Sequence, residues 1–402
     1  MGKGTVLYVG NFELPDKGAS ANRVVSNAKL FNSIGYQTVL LGVTKDKECT
    51  DIRPLKNDFG LMMYERPYPV SMKMWLGHMY SAEYITKMLK LHGDIALVIL
   101  YNMPFSALKA AKKACRGTNI KVAYDCTEWA DVTDGNAVKR FVKKRDEKLI
   151  RNKLADVTDG LIVISSMMER QYKGCKAIVK LPPLVDIEDP IWHQKPKKHE
   201  GFEFCFAGML DGQKDSLDVI VRAFAKVCDE QTRLRVIGVD KEEFKSVYPG
   251  TVNELDKCGD HIIFMGMQSH FDTIRYVLGC DCYIFIRPAD TRNNAGFPTK
   301  FAEATTCDVP MIASRVSNVA SFADEKVILL DSLDKSKIAD AMNQVKETTA
   351  KTEINKKPLF LSDEGFSIPK QNSLTDRRSR FQSSANALAG VASAIPKVKI
   401  TE

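Results

Sequence analysis

Short apolar runs alternate with longer amphipathic segments along most of this chain. The first run, Thr5–Val9, is followed by a polar loop and by Ala21–Ile34, in which apolar residues recur at helical spacing. Gly35 suits the end of that helix, and a second apolar run, Gln37–Gly42, comes directly after it. A strand, a helix and another strand in this order are typical of a parallel sheet with helices on its faces.

The alternation continues in two blocks. Further strands are predicted at Ile95–Tyr101, Lys121–Tyr124, Gly160–Ser165, Ala177–Lys180, Phe202–Gly208, Leu234–Gly238, His261–Met265, Cys282–Ile286, Met311–Ser314 and Val327–Leu330. The stretch 187–201, with prolines and a cluster of lysine and histidine, is typical of a linker. The sequence therefore predicts a first domain over 1–186 and a second over 202–350. Residues 351–402 lose the pattern and form either one more helix or a disordered tail.

A stretch rich in methionine and aromatic residues, Met62–Leu91, has two interpretations. It contains Met72, Met74, Trp75, Met79 and Tyr80. A helix facing the core is favoured, because methionine fills irregular gaps in protein interiors. The alternative is a face exposed to a lipid-like acceptor or to the bilayer interface, where tryptophan and tyrosine are well accommodated.

The most informative stretch lies between the predicted strands Cys282–Ile286 and Met311–Ser314. Residues 293–303 read Asn-Asn-Ala-Gly-Phe-Pro-Thr-Lys-Phe-Ala-Glu, in which Pro298 suits the first turn of a helix. The amino end of a helix offers free N–H groups and a positive dipole, which suit a phosphate. A carboxylate one turn later, Glu303, can accept hydrogen bonds from sugar hydroxyls. Together these features favour a nucleotide-sugar diphosphate as ligand.

This stretch resembles the signature of family 4 glycosyltransferases of the GT-B fold, in which two glutamates bracket a Gly-Phe step. Glu303 matches the second glutamate, whereas Ala295 stands at the position of the first. The family's Gly-Arg-Leu and Lys-Gly segment is matched after Phe202–Gly208. There Lys214 matches the lysine that contacts the donor diphosphate, and Met209 replaces the arginine.

The resemblance extends from about Thr5 to Leu330 and includes the loop 18–24 and a Pro-x-x-Val-Asp-like segment at 181–186. It implies an α/β protein with two facing, doubly wound, Rossmann-like domains and a cleft between them. The donor would lie mainly on the second domain and the acceptor on the first, with 351–402 as a possible return helix. The family transfers the sugar with retention of configuration and needs neither a metal nor a cofactor.

Site residues follow from the same resemblance. The donor-binding set is Gly18, Gly208, Lys214, Gly266, Met267, Arg287, Arg292, Gly296, Phe297, Pro298, Thr299, Lys300 and Glu303. Because Met209 carries no charge, we expect Lys214 to act with Arg287, Arg292 or Lys300 on the leaving diphosphate. On the acceptor side, Glu128 is the candidate for receiving or orienting the acceptor hydroxyl, and Trp129 for stacking on a sugar ring. Alternatively, Glu128 only caps the next helix.

Eight lysines and arginines crowd the predicted helix at 137–155: Lys139, Arg140, Lys143, Lys144, Arg145, Lys148, Arg151 and Lys153. Its apolar residues, Val138, Phe141, Val142, Leu149, Ile150 and Leu154, are predicted to face the sheet. The basic residues either form a solvated face or contact an anionic bilayer, where each cation contributes about 1 kcal/mol.

Composition narrows the functional classes. The 402 residues carry a formal charge of +8, and the basic residues are spread too widely along the chain to indicate nucleic-acid binding. The hydrophobic content of 44% is typical of globular proteins. No apolar run is long enough to span a bilayer, and no signal-peptide pattern is seen at the amino end. A cytoplasmic protein is therefore expected. If the basic helix binds the bilayer, the protein is expected to be peripheral on the inner membrane face. The 10 cysteines are scattered, which favours buried thiols over a zinc site.

The sequence thus predicts a glycosyltransferase that moves a sugar from a UDP- or GDP-sugar to a saccharide or lipid-linked acceptor, in polysaccharide or glycoconjugate synthesis. Two alternatives remain open. One is a nucleotide-sugar hydrolase or epimerase on the same fold. The other is a non-catalytic nucleotide-sugar-binding or scaffold protein, which Ala295 and Met209 favour.

Overall fold

The structure is a computed structural model that describes residues 3–57, 59–130, 136–186, 189–210 and 214–355, with side chains described as far as residue 349. The chain divides into two compact units between Leu184 and Val185. The predicted linker has a short 3-10 turn at Pro190–His193. Residues 356–402, the larger part of the predicted tail, lie outside the described residues.

The first unit is built on an eight-stranded sheet in the order β3-β4-β2-β1-β5-β6-β7-β8. Its strands are β1 (Thr5–Gly10), β2 (Gln37–Thr44), β3 (Arg53–Leu55), β4 (Met62–Pro67), β5 (Ile95–Tyr101), β6 (Lys121–Cys126), β7 (Gly160–Val163) and β8 (Ile178–Lys180). Its helices are α1 (Ala19–Ser33), α2 (Met72–Tyr80), α3 (Glu83–Leu91), α4 (Phe105–Ala114), α5 (Ala137–Val157) and α6 (Ser166–Gln171). All pairings are parallel except β3 with β4.

The second unit has a parallel six-stranded sheet in the order β11-β10-β9-β12-β13-β14. The strands are β9 (Phe202–Ala207), β10 (Thr232–Ile237), β11 (Ile262–Phe264), β12 (Cys282–Phe285), β13 (Met311–Ser314) and β14 (Val327–Leu330). The helices are α7 (Leu217–Val227), α8 (Lys241–Val247), α9 (Val252–Cys258), α10 (His270–Gly279), α11 (Thr291–Ala295), α12 (Thr299–Thr306) and α13 (Lys335–Asn355).

Both sheets are doubly wound, which confirms the predicted fold class. In the first sheet the strand order reverses between β1 and β5, and in the second between β9 and β12. Ligands of such sheets bind beyond the carboxyl ends of the strands at these switch points. The pattern of apolar strands therefore fixes where in each unit a site is expected.

Several elements differ from the sequence-based expectation. The stretch 62–91 contains a strand and two helices, and of the residues on α2 only Met79 is buried. The favoured core-facing interpretation is therefore wrong for α2, whose Met72, Leu76 and Tyr80 are exposed. Residues 291–295, for which the sequence predicted no helix, form the short helix α11, whose start is capped by the Asp290 side chain accepting a hydrogen bond from the N–H of Asn293.

Helix boundaries also move. Helix α1 begins at Ala19, so the predicted small-residue loop ends at Gly18, and α12 begins at Thr299, directly after Pro298. The terminal helix α13 continues to Asn355, past the point at which its sequence pattern weakens. These shifts leave the order of elements unchanged.

The predicted apolar stripe of α5 is only partly correct. Ile150 and Leu154 are buried, but Val138 and Phe141 in the first two turns are 67% and 70% exposed. The buried Asp146 instead accepts hydrogen bonds from the backbone N–H groups of Phe105 and Ser106, at the start of α4. Helix α5 thus joins α4 through a polar contact at its middle, while its first two turns present apolar residues to solvent.

A buried ionic network fixes α1 to the sheet of the first unit. The Nε and Nη2 atoms of Arg23 donate to the two carboxylate oxygens of Asp125, over 3.1 and 2.9 Å, and Nη1 donates to the carbonyl of Leu181. The hydroxyl of Tyr8 also donates to Asp125 and accepts from the Asn27 side chain. Burial lowers the pKa of Arg23, but Asp125 raises it by more. The guanidinium therefore stays charged, and its hydrogen bonds to Asp125 hold the amino end of α1 beside β6.

None of the ten cysteines forms a disulfide, and eight of them are buried, in agreement with the predicted buried thiols. In the described part of the chain, no helix has both the length and the apolar composition needed to cross a bilayer. Nor do three or more histidine, cysteine, aspartate or glutamate residues come together as metal ligands within the described ranges.

Candidate donor-binding site

Most of the predicted donor-binding residues lie at one edge of the second sheet. Gly208 and Lys214 follow β9, Gly266 follows β11 and Arg287 follows β12, all at the carboxyl ends of parallel strands. Lys300 belongs to the first turn of α12, which is reached from β12 through α11. The chain therefore brings these residues to the switch point between β9 and β12.

At this edge two cations converge on one buried carboxylate. The Nε atom of Arg287 donates to Oδ1 of Asp215 over 2.5 Å, and the ammonium group of Lys300 donates to Oδ2. The Lys300 ammonium lies 5.1 Å from the centre of the Phe206 ring, and the Arg287 guanidinium 4.6 Å from that of Phe285. The backbone N–H of Arg287 donates to the Ser314 hydroxyl on β13, which fixes the start of its loop.

Two basic side chains face one carboxylate in this cluster and act on its pKa. Burial raises the pKa of Asp215, but the charges of Lys300 and Arg287 more than reverse that effect and hold the pKa below its usual range. Burial, and to a smaller extent the charge of Arg287, lowers the pKa of Lys300, whereas Asp215 raises it. Among the described residues, none accepts a hydrogen bond from the Nη atoms of Arg287.

Gly208 makes room for Lys300. A Cβ atom at this position would lie 2.0 Å from the Lys300 ammonium, so any larger residue displaces that side chain. Gly238 after β10 has φ +90°, and a Cβ atom there would lie 2.7 Å from the Gly208 carbonyl oxygen. The close approach of these two strand ends therefore depends on glycine at both positions.

Glu303 lies one turn into α12, where its carboxylate is 3.3 Å from the Nε2 atom of His270 at the start of α10. The ring of His270 packs edge-on against Trp192 in the linker region, with ring centres 6.3 Å apart. His270 is not among the site residues that the sequence predicts. The structure places it next to the residue that matches the family's second glutamate.

The segment before α12 is rigidly held. The hydroxyl of Ser317 donates to the Gly296 carbonyl, and its backbone N–H donates to the side chain of Asn294. Phe297 is buried edge-on against the rings of Phe301 and Phe322, so it anchors the loop. Pro298 is buried and Thr299 half-buried, and they lead into the first turn of α12.

The two departures from the family pattern have different surroundings. Ala295 is fully buried at the end of α11, where a glutamate side chain would not fit without rearrangement. Met209 is exposed, so no charge replaces the missing arginine at that position. Arg287 and Lys300 supply the cations near Asp215 instead.

The remaining donor-side candidates are spread around the same edge. Lys214 is half-buried and directly precedes Asp215, and Arg292 is half-buried on α11. Gly266 has φ +58° and lies close to the Asp240 side chain, whereas Met267 is exposed. Of the three expected helpers of Lys214, the structure brings Arg287 and Lys300 together at Asp215.

The acceptor-side candidates and Gly18 belong to the first unit. Gly18, with φ +90°, precedes α1 with open space around its Cα, and Glu128 is exposed just beyond β6. Trp129 is 4% exposed: its N–H donates to the Tyr172 hydroxyl, and the Arg151 guanidinium lies 5.0 Å from its ring centre. The structure therefore makes Trp129 a packing residue between β6, α5 and α6 rather than a ring face open to a sugar.

Comparison with known proteins agrees with this geometry. Residues 201–347 match the family described as glycosyl transferases group 1. This segment is a group 1 glycosyltransferase domain. It holds Asp215, Arg287, Lys300 and Glu303, all within the matched range. No curated protein sequence matches the chain.

Solved structures of glycosyltransferases resemble nearly the whole chain. HepE of Anabaena in complex with UDP has a TM-score of 0.59 at 13% identity and covers 97% of each chain. Sucrose-phosphate synthase of Thermosynechococcus elongatus has a TM-score of 0.66 at 15% identity, over 97% of this chain and 96% of that one. A structure described as trehalose-6-phosphate from Escherichia coli bound with UDP-2-fluoro glucose has a TM-score of 0.56 at 11% identity and covers 97% of both chains. The chain thus has the GT-B fold.

Two residues of the candidate site were missed by sequence reasoning. Asp215 directly follows Lys214 and stands where the family pattern has glycine, so its identity was a signal that something differs there. His270 gave no such signal, because only the packing of α10 beside α12 brings it to Glu303.

Proposed function

We propose that the glycosyltransferase binds a UDP- or GDP-sugar at the Asp215–Arg287–Lys300 cluster and transfers the sugar, with retention, to a saccharide or lipid-linked acceptor. The observation that carries this proposal is the convergence of Arg287 and Lys300 at the switch point of the second sheet. The single carboxylate of Asp215 pairs with two cations, so the cluster has a net positive charge that can bind a diphosphate.

The chemistry follows from the charge of the leaving group. As the bond from the anomeric carbon to the diphosphate oxygen breaks, negative charge grows on that oxygen. Cations already held in place stabilise it without reorganisation, and Asp215 holds both Arg287 and Lys300. Lys214 and the first turn of α12 lie at the same edge, and Glu303 is placed to accept hydrogen bonds from the donor's hydroxyls. On the first unit, Glu128 is the candidate for orienting the acceptor hydroxyl.

The names of structural relatives support a nucleotide-sugar donor. HepE was solved with UDP, with UDP and glucose, and with UDP-glucose. Another relative is a lipopolysaccharide outer core galactosyltransferase, WaaB, with a TM-score of 0.53 at 13% identity. These proteins share the fold with the chain, and they make UDP-sugars the first donors to test.

Calorimetry with UDP and GDP, followed by donor turnover with and without acceptor saccharides, tests the proposal. We expect one nucleotide to bind and turnover to depend on the acceptor. Donor consumption without acceptor would instead identify a hydrolase or epimerase. If neither nucleotide binds, the non-catalytic alternative replaces the proposal.

Replacing Glu303 with alanine is expected to weaken nucleotide binding by roughly 1–3 kcal/mol, since a charged hydrogen-bond acceptor for sugar hydroxyls is lost. Titration calorimetry of the variant with UDP measures the change. Asp308→Ala, which removes an exposed carboxylate paired with Lys326, is the control and leaves affinity unchanged. Equal affinity of Glu303→Ala and the parent protein would remove Glu303 from the site.

The proposal includes peripheral contact with an anionic bilayer through the basic helix α5. Helix α2 adds an apolar stripe, Met72, Leu76 and Tyr80, and the first turns of α5 add Val138 and Phe141. The two elements are joined where the Lys139 ammonium lies 5.7 Å from the ring centre of Trp75. Exposed apolar residues beside exposed Arg140, Lys144 and Arg145 match the bilayer interface in both polarity and charge.

Replacing Phe141 with serine is expected to weaken partitioning onto phosphatidylglycerol vesicles roughly tenfold, since partial burial of a phenylalanyl side chain contributes about 1.5 kcal/mol. Vesicle sedimentation at low salt measures it. Val247→Ser, at an exposed apolar position of the second unit, is the matched control. The membrane contact is refuted if the parent protein stays in the supernatant.

A further inference from the structure

A buried arginine in the first unit has no carboxylate partner. Arg66 lies on β4 and is 2% exposed, and among the described residues no ion pair is formed by its guanidinium. Its Nη2 atom donates to Oδ1 of Asn11 over a long 3.3 Å, and its Nε atom is buried without any hydrogen-bond acceptor. The guanidinium carbon lies 5.0 Å from the ring centre of Tyr84.

Two other arginines of this protein, the buried Arg23 and the half-buried Arg235, show what that edge of a guanidinium normally holds. Arg23 uses Nε and Nη2 to bind both oxygens of Asp125, and Arg235 uses the same two atoms to bind both oxygens of Glu203. Such paired hydrogen bonds fit a carboxylate or a phosphate. In Arg66 the same edge has only the amide oxygen of Asn11. An unpaired buried cation is unfavourable, so an anion from outside the chain would stabilise it.

Asn11 and His78 complete a small polar group around Arg66. The Nε2 atom of His78 is 3.0 Å from the Asn11 amide nitrogen, while Nδ1 of His78 is buried without a hydrogen-bond partner. Burial and then the charge of Arg66 lower the pKa of His78 to about 4, so the ring is neutral at neutral pH. Burial also lowers the pKa of Arg66, to about 10, and this leaves the guanidinium charged. Asn11 is exposed and can move aside without breaking the core.

The position in the fold is one where ligands bind. Arg66 pairs in register with Val43 near the carboxyl end of β2, and Asn11 directly follows β1. These residues share the carboxyl edge of the first sheet with Glu128, which follows β6. Ligands of doubly wound sheets bind at this edge.

We propose that Arg66, together with Asn11 and His78, binds an oxyanion, a phosphate or a carboxylate, of the acceptor. The Asn11 amide oxygen now accepts the hydrogen bond that one ligand oxygen would accept. When the Asn11 side chain moves aside, the ligand would accept hydrogen bonds from both Nε and Nη2 of Arg66. The acceptor class is thereby narrowed to phosphorylated or acidic saccharides. The claim that the bound anion belongs to the acceptor rests on the proposed function. The anion site itself rests on the geometry of the first unit.

The test follows the Nε–H resonance of Arg66 by nitrogen-15 NMR of the full chain, with saturating UDP present. Inorganic phosphate, glucose 6-phosphate and glucuronate are the titrants. We expect a saturable shift with at least one of them: a response to the phosphates alone identifies a phosphorylated acceptor, and a response to glucuronate alone an acidic one. Arg66→Met identifies the resonance. In Arg66→Lys, which cannot form the paired hydrogen bonds, anion affinity measured by calorimetry with the same titrants falls at least about tenfold.

Asn11→Asp provides a second variant that does not depend on removing the arginine. A carboxylate at this position occupies the guanidinium edge, so the variant is expected to melt at a higher temperature and to lose the anion response. The inference is overturned if no titrant moves the Arg66 resonance, or if Asn11→Asp responds to anions as the parent does. Calorimetry with UDP on the same samples separates the outcomes, because UDP binding without an Arg66 response leaves the proposed function intact.

Discussion

Replacing Lys300 with methionine is expected to lower the turnover of the nucleotide-sugar donor by roughly two to three orders of magnitude. The ammonium group is one of two cations on Asp215, and the loss of a prearranged positive charge beside a developing anion has an effect of this size. The fold should persist, because Asp215 keeps its hydrogen bond from Arg287 and methionine fills most of the vacated space.

Donor turnover and nucleotide affinity of this variant are measured side by side, with thermal unfolding as the check on folding. Lys326→Met is the matched control, since it removes a lysine of the same unit that pairs with Asp308 at the surface, and it should leave turnover unchanged. Parent-like turnover in a folded Lys300→Met protein would exclude this cluster as the donor-binding site.

Replacing Arg23 with methionine is expected to lower the free energy of unfolding by roughly 3–5 kcal/mol, because the change leaves the Asp125 carboxylate buried without its cation. Asp125 would keep the hydrogen bond from the Tyr8 hydroxyl, which does not neutralise its charge. Since Arg23 also bonds the Leu181 carbonyl, the loosening should extend from α1 to the end of β8.

Denaturant unfolding gives the overall change, and hydrogen exchange of the β1 and β6 amides assigns it to the first unit. Lys87→Met is the control: its side chain is 43% exposed and pairs with the exposed Asp51 and Glu83, where ion pairs contribute about 1 kcal/mol or less. Equal losses in the two variants would contradict the role of the buried network.

The sequence alone was sufficient for the order of the elements that it predicted and for the place of the stretch that matches the family signature, whereas β3, β4 and α11 were missed. Short continuous apolar runs such as Cys282–Ile286, alternating with helical patterns, are typical of strands buried in a parallel sheet, and parallel strands bring their carboxyl-end loops to one edge. The Gly-Phe-Pro step and Glu303 could therefore be placed at the start of a helix without coordinates. These are features that local pattern and chain connectivity determine.

Only the tertiary structure determined which helix faces are buried and which charged side chains form pairs. Periodicity shows that Val138, Phe141, Ile150 and Leu154 recur at helical spacing, but only the packing of α5 on its neighbours leaves the first two exposed.

The pairing of Asp215 with Arg287 and Lys300 joins residues 72 and 85 positions apart, and Arg66 meets Asn11 across 55 positions. Burial and charge pairing are set by contacts between distant segments, because the dielectric environment of a side chain depends on everything packed around it. The sequence shows which charged residues are present. Which of them pair, and what net charge a site has, is determined only when the chain folds.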